Sequence, residues 1–234
     1  MKIKTQNVDI DFELPEDYTD VGIRISGGLD SAVLLYILCT YITETQRDIK
    51  VFPMTSNDWK KPYQIEFASR VINWMKQQFP NVYFYEHNTH QIAHGDDYIE
   101  GQLAHKLSAL RGFYAEHDKK INIVLHGQNL APPEDVLQTF FTPGGNLYSG
   151  PNPNDKRNEL QEPWVMEKLL YRPLINLNKQ GIAEIYEHYN LTDTLFNITR
   201  SCENPDPEKT ENFTTHCQSE CWWCYERKWG FGKV

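Results

Sequence analysis

Residues 26–31 read Ser-Gly-Gly-Leu-Asp-Ser, directly after the apolar run VGIRI. Gly27 and Gly28 let the backbone turn sharply and expose successive N–H groups. With the dipole of a following helix, those donors make an anion site. Ser26 and Ser31 add hydroxyls, and Asp30 sits where it can cap a helix start or help bind a metal. A plain strand-to-helix turn with an aspartate N-cap would need only the glycines and Asp30. The two serines in frame point further, to phosphate. The segment is neither GxxxxGK[ST] nor GxGxxG, so the commonest phosphate loops are excluded.

A second group with chemistry lies at the other end. Four of the five cysteines fall between 202 and 224, as Cys202, Cys217, Cys221 and Cys224. Their spacing, C-x14-C-x3-C-x2-C, suits a closed tetrahedral zinc site, with Cys202 arriving from a loop. Four thiolates leave no open coordination position, so the site reads as structural. An iron–sulfur cluster uses the same four thiols, and a disulfide is a third arrangement. His216 is an outside candidate for the fourth ligand. Cys39, inside an apolar run, reads as a core thiol. Trp222, Trp223 and Trp229 read as packing around the metal, with base stacking as the alternative.

Other polar residues cluster at expected strand exits. Gln128 and Asn129 are placed to read a purine edge or a ribose, or else to cap a loop. Arg200 is a bidentate donor for phosphate or carboxylate. His87, His90 and His94 have helix-like spacing, but polar residues at a strand exit is the favoured reading over a metal site.

The elements that must position these groups follow from periodicity. Strands are expected at 21–26, 49–54, 81–87 and 121–127. Helices are expected at 31–42, at 61–79 (Ile65, Ala68, Val71, Ile72 and Met75 inward) and at 97–117 (Leu103, Leu107, Leu110 and Phe113 or Tyr114 inward). Residues 130–163, rich in Pro, Gly and Asn, read as a long loop. Residues 166–189 return to helical spacing, interrupted at Pro173. Four β–α steps imply an α/β fold with a parallel, doubly wound sheet, and ligands at the carboxyl ends of its strands. The expected division is a phosphate-binding α/β domain at 1–191 and a zinc-binding segment at 192–234.

Composition narrows the class. The 234 residues suit one domain with an appendage, and the net charge is 23 − 32 = −9. An acidic chain is a poor default ligand for the nucleic-acid backbone. No apolar run approaches a membrane span, and the polar, acidic start lacks a signal peptide's apolar segment. The expected location is cytoplasmic.

SGGLDS resembles the SGGxDS loop of the N-type ATP pyrophosphatases, or PP-loop enzymes. Two further segments are similar to the 7-cyano-7-deazaguanine synthase (QueC) family: RPLINLNKQGIAEIYEHYNL (172–191) and TRSCENP…HCQSECWWCYERKWGF (199–231). The resemblance implies that Ser26, Gly27, Gly28, Leu29, Asp30 and Ser31 cradle ATP with Mg2+, and that Cys202, Cys217, Cys221 and Cys224 hold Zn2+. Lys179 matches the family's lysine after the PL turn, near phosphate or developing charge; a solvated helix-start lysine is the alternative. The implied reaction adenylates a carboxylate, 7-carboxy-7-deazaguanine, then amidates it with ammonia towards the nitrile. A homodimer is compatible with the resemblance.

The chain also departs from that family. It lacks a Y-P-D-C-R segment after the fourth strand, spaces Cys217 and Cys221 by three residues rather than two, and reads MTSNDWKKPYQIE at the second-strand exit. The activation half looks retained and the acceptor pocket changed. Alternatives are a different acceptor, a tRNA-thiolating PP-loop enzyme, or a non-catalytic nucleotide-binding zinc protein.

Overall fold

A computed structural model describes residues 1–6, 8–57, 61–91, 98–140, 159–165, 169–204, 208–211, 214–217 and 221–234. Strands β1 (Lys2–Ile3) and β2 (Ile10–Asp11) pair with each other. Then follow β3 (Asp20–Arg24), α1 (Leu29–Thr45), β4 (Lys50–Asn57), α2 (Gln64–Gln78), β5 (Tyr83–Phe84), β6 (Asn88–Gln91), α3 (Tyr98–His117) and β7 (Ile123–His126). The chain continues with α4 (Glu134–Phe140), β8 (Trp164–Val165), β9 (Leu170–Tyr171), α5 (Lys179–His188) and α6 (Trp222–Phe231).

Among the described residues the main sheet runs β5-β4-β3-β7-β9-β8, with β6 also on β4. All its pairings are parallel except β8–β9. The protein is therefore an α/β fold on a mostly parallel sheet. The chain moves outward from β3 through β4 to β5, then returns to lay β7 on the other side of β3. That reversal makes a switch point between β3 and β7, where the strand ends leave a crevice.

Period-two alternation sorts the strands between two cores. Val21, Ile23, Val51, Ile123 and Leu125 pack with α1, α2 and α5. Phe52, Met54 and Val124 face the other way, towards Ala109 and Phe113 of α3. Gly22 lies among this second set, where a Cβ would come within 3.2 Å of Met54 and Val124. Helix α1 is apolar on every side because it is buried on nearly every side, from Leu29 to Ile42.

The expected strands and helices up to β7 are present, with differences of detail. On α2 the inward set is Phe67, Ala68, Val71, Ile72 and Met75, while Ile65 is only half-buried. On α3, Phe113 is the inward aromatic, and Leu107 and Tyr114 are exposed; the side chain of Leu103 lies outside the described residues. The third strand is split: Tyr83–Phe84 and Asn88–Gln91 each pair with β4, separated by a break at 85–87. The expected loop at 130–163 contains α4, and its 141–158 stretch lies outside the described residues.

The largest correction is at 169–173, while 166–168 lie outside the described residues. Leu170 and Tyr171 form a strand on β7 instead of a helix. Pro173 pushes the residue before it to extended backbone, so helix cannot run into it. Trp164 on β8 stacks on Tyr171 at 4.1 Å, which supports the extended pairing. Helix then begins only at Lys179, where the Asn178 side chain accepts from the backbone N–H groups of Gln180 and Gly181.

Candidate active site and metal centre

The Ser26–Ser31 loop is held by its own small side chains. The Ser26 amide donates to Ser31 Oγ at 3.2 Å, the two serine hydroxyls lie 3.1 Å apart, and the Ser31 hydroxyl donates to the Gly28 carbonyl at 3.2 Å. Gly27 has φ +76°, and a Cβ there would lie 2.5 Å from Phe67 Cβ and 2.7 Å from the Ala68 nitrogen. Only glycine fits this left-handed position under α2. The alternative of an aspartate N-cap is not seen: Gly28 is the N-cap of α1, and Asp30, in the first turn, sends its carboxylate to Lys179. The first α1 bond of the i→i−4 type runs from Ala32 to Gly28, so the amides of Leu29, Asp30 and Ser31 precede it.

Asp30 meets Lys179 across 149 residues of sequence. The Lys179 ammonium donates to both carboxylate oxygens, at 2.6 and 2.5 Å. Lys179 is 3% exposed, which excludes the solvated-lysine reading. Glu226 stands 3.7 Å from the ammonium and is fully buried. Helix α6 presses on this point, since a Cβ on Gly230 would lie 2.6 Å from Lys179 Cβ.

These groups open on a cavity of about 210 Å³ at the carboxyl ends of β3, β4 and β7. Its wall contains Ser26, Gly28, Leu29, Asp30, Ser31 and Lys179, while Gly27 is not on it. Gly127 closes the β7 side; a Cβ there would lie 2.7 Å from the Ser31 nitrogen. Arg24, Lys61, Lys179 and Arg200 bring four cations to the wall, against the carboxylates of Asp30, Glu203 and Glu226. A chain of charge −9 thus keeps a locally cationic crevice.

Arg200 lies on the wall, its guanidinium 4.5 Å over the Tyr63 ring and donating to the Thr215 carbonyl. Its backbone amide donates to the Gly27 carbonyl at 2.8 Å, tying the tail to the glycine loop. Gln128 and Asn129 are not on the wall: Gln128 accepts from Arg172 at 3.2 Å, and Asn129 is buried. Sequence reasoning missed Lys61, Glu203 and Glu226. Lys61 and Glu203 meet at 2.5 Å across 142 residues, a pairing that only the closed fold brings about. Their signal was position, since Lys61 follows the second-strand exit and Glu226 stands in the ERKWGF close.

Of the histidines at the third-strand exit, His87 takes a structural role. The Thr55 hydroxyl donates to the Ile25 carbonyl at 2.6 Å, so it accepts from His87 Nε2 at 2.7 Å. Burial lowers the His87 pKa to about 4, and it stays neutral at pH 7. His94 lies outside the described residues.

The four cysteines converge. The sulfurs of Cys202, Cys217, Cys221 and Cys224 all lie within 4.8 Å of one another and are buried. A tetrahedral set around one ion with Zn–S near 2.3 Å spaces its sulfurs about 3.8 Å apart, and those of Cys221 and Cys202 lie 3.9 Å apart. The Cys221 amide donates to Cys217 Sγ at 3.3 Å, which turns the knuckle inward despite its three-residue spacer. Crowding splits the thiol acidities. Hydrogen bonds from the other three hold Cys217 far below the ordinary thiol range, and they push Cys224 far above it. A bound cation removes that conflict, because each thiolate then faces positive charge. His216 is not in the set; its Nε2 accepts from the Ser201 amide at 3.2 Å. Trp223 packs against the cysteines, while Cys39 sits in the main core with its thiol pKa raised by burial. Cys202 also lies on the cavity wall, so metal centre and cavity share a residue.

Among the described residues no helix is long and apolar enough to cross a membrane. No protein-family model and no curated protein matches the chain. Among solved structures it is similar to the U34-tRNA thiolase NcsA from Methanococcus maripaludis with its [4Fe-4S] cluster. The identity is 12%, over 92% of this chain and 71% of that chain, with a TM-score of 0.43.

Proposed function

We propose that the chain is a PP-loop enzyme that uses ATP to activate a carboxylate and join it to an amine, with 7-carboxy-7-deazaguanine and ammonia as substrates. The observation that carries this reading is the cavity itself. The Ser26–Ser31 turn opens at the β3/β7 switch point onto a wall bearing Arg24, Lys61, Lys179 and Arg200. Backbone N–H groups, serine hydroxyls and ammonium groups in one crevice suit the β,γ-phosphates of ATP.

The substrate carboxylate oxygen attacks the α-phosphorus, and the bond to pyrophosphate breaks. Loop donors and Lys179 stabilise the charge growing on the leaving pyrophosphate. The amine then attacks the acyl carbon and AMP departs. Asp30 offers hard oxygen donors for Mg2+, which neutralises phosphate charge when bound. Arg200, anchored by Thr215 and Tyr63, is placed to orient an anionic group. The four cysteines hold Zn2+ and keep residues 199–203 against the loop.

ATP–pyrophosphate exchange with candidate carboxylates tests this. Exchange dependent on 7-carboxy-7-deazaguanine, abolished by Asp30→Ala, is the expected result. Exchange with another carboxylate only would retain the activation chemistry and replace the substrate. The absence of ATP binding would overturn both.

A second reading is favoured by Cys202, which belongs both to the metal set and to the cavity wall. A redox-active cluster there would suit tRNA thiolation. Anaerobically purified protein separates the two: zinc leaves it colourless, and an iron–sulfur cluster colours it brown.

A further inference from the structure

Lys179 is approached by two carboxylates. Asp30 holds its ammonium with both oxygens at 2.6 and 2.5 Å, and Glu226 Oε2 stands 3.7 Å away. The three groups sum to −1, and all line the cavity. Lys179 cannot withdraw, because α6 lies on its backbone: a Cβ on Gly230 would sit 2.7 Å from the Lys179 carbonyl oxygen. Helix α6 is fixed in turn by Arg227, whose guanidinium donates to the carbonyls of Thr199 and Phe196. The remaining freedom is at the ammonium end. Closing the gap to Glu226 to a charge-assisted distance of about 2.8 Å requires a shift of roughly 1 Å.

This geometry matters when a cation-bound nucleotide enters. Hard divalent cations take carboxylate oxygens, and Asp30 belongs to the loop that would hold the phosphates. Both of its oxygens serve Lys179 in the free protein. Releasing them strands a buried ammonium, which is strongly unfavourable unless another anion takes it. Glu226, at 0% exposure and 3.7 Å from the ammonium, is placed to accept one of its three N–H donors while another faces phosphate.

We propose that Glu226 is a positioning residue that takes the Lys179 ammonium when Asp30 turns to nucleotide-bound magnesium, and thereby sets the magnesium dependence of nucleotide binding. This role rests on the assignment of the cavity to ATP.

The test measures ATP affinity by calorimetry on the full, metal-loaded chain across a magnesium titration. Wild type is compared with Glu226→Gln and Glu226→Asp, and metal content and melting temperature are followed in parallel. In wild type, magnesium tightens ATP binding. In Glu226→Gln that gain, measured as the ratio of affinities with and without magnesium, falls about tenfold. Glu226→Asp, which keeps the charge on a shorter arm, recovers part of the gain. In a Lys179→Met background, Glu226→Gln has no further effect on the gain.

Unchanged magnesium dependence in Glu226→Gln overturns the proposal, as does an equal loss of affinity at every magnesium concentration. If Glu226→Gln loses its metal or its fold, Glu226→Asp decides: a wild-type gain refutes the role and an intermediate gain supports it. Wild-type protein that binds no ATP overturns the assignment of the cavity, and the proposal with it. Wild-type protein that binds ATP beside an unaffected Glu226→Gln variant overturns the proposal alone.

Discussion

The glycine loop at 26–31 and the cysteine tail at 202–224 reach order by opposite routes. The loop is buttressed by the main core: Leu29 and Ala32 are fully buried, Phe67 lies under Gly27, and Gly127 packs on Ser31. It is complete as protein. The tail has a core made chiefly of four sulfurs with Trp223 and Val234 alongside. Its order is expected to depend on an ion held by those sulfurs. A binding site can therefore be preorganised by packing at one end of a fold and by an ion at the other.

The sharpest way to break this contrast is to remove the ion. Cys221→Ser, or chelation, should unfold the tail, because structural zinc contributes roughly 10 kcal/mol or more to comparable small sites. Metal analysis should give about one ion per chain, and a soluble, ordered, metal-free protein would refute the dependence. The matching insult to the loop is Gly27→Ala. A left-handed alanine overlapping Phe67 should lose about 2–5 kcal/mol, read from the denaturant midpoint, with metal content retained. Equal metal loss in both variants would erase the distinction.

Smaller changes refine it. Thr55→Val removes the donor to the Ile25 carbonyl, next to the loop, and should lower stability by about 1–3 kcal/mol. The smallest effect is on pH. His87 has its folded pKa depressed to about 4 from an ordinary value near 6.5, so the unfolded chain takes up the proton first. Its contribution is full above about pH 6.5 and is lost as pH falls towards 4. Wild type should therefore lose more stability between neutral and mildly acidic pH than His87→Gln. Parallel slopes in denaturant titrations would exclude a role for this ring.

What could be read from the sequence was what neighbours decide. Ser26–Ser31 were legible because strand, turn and helix start are contiguous, and the cysteines because thiols in short spacers have few other uses. Residues 169–173 misled because a few apolar residues suit a helix or a strand, and pairing with β7 chose between them. Leu107 fits a helical stripe, yet α3 has no neighbour on that side among the described residues and leaves it exposed. Glu226 and the Lys61–Glu203 pair escaped because nothing local distinguishes a surface carboxylate from one that closes a cavity.

The hydrogen bond from the Arg200 amide to the Gly27 carbonyl has a consequence for synthesis. These partners are 200 − 27 = 173 residues apart. At roughly 5–20 residues per second, the loop waits about 10–35 s on the ribosome before its last backbone partner is made. The crevice that would bind nucleotide is thus begun by one segment and completed only 173 residues of synthesis later, which leaves a nascent chain without a finished site until Arg200 emerges.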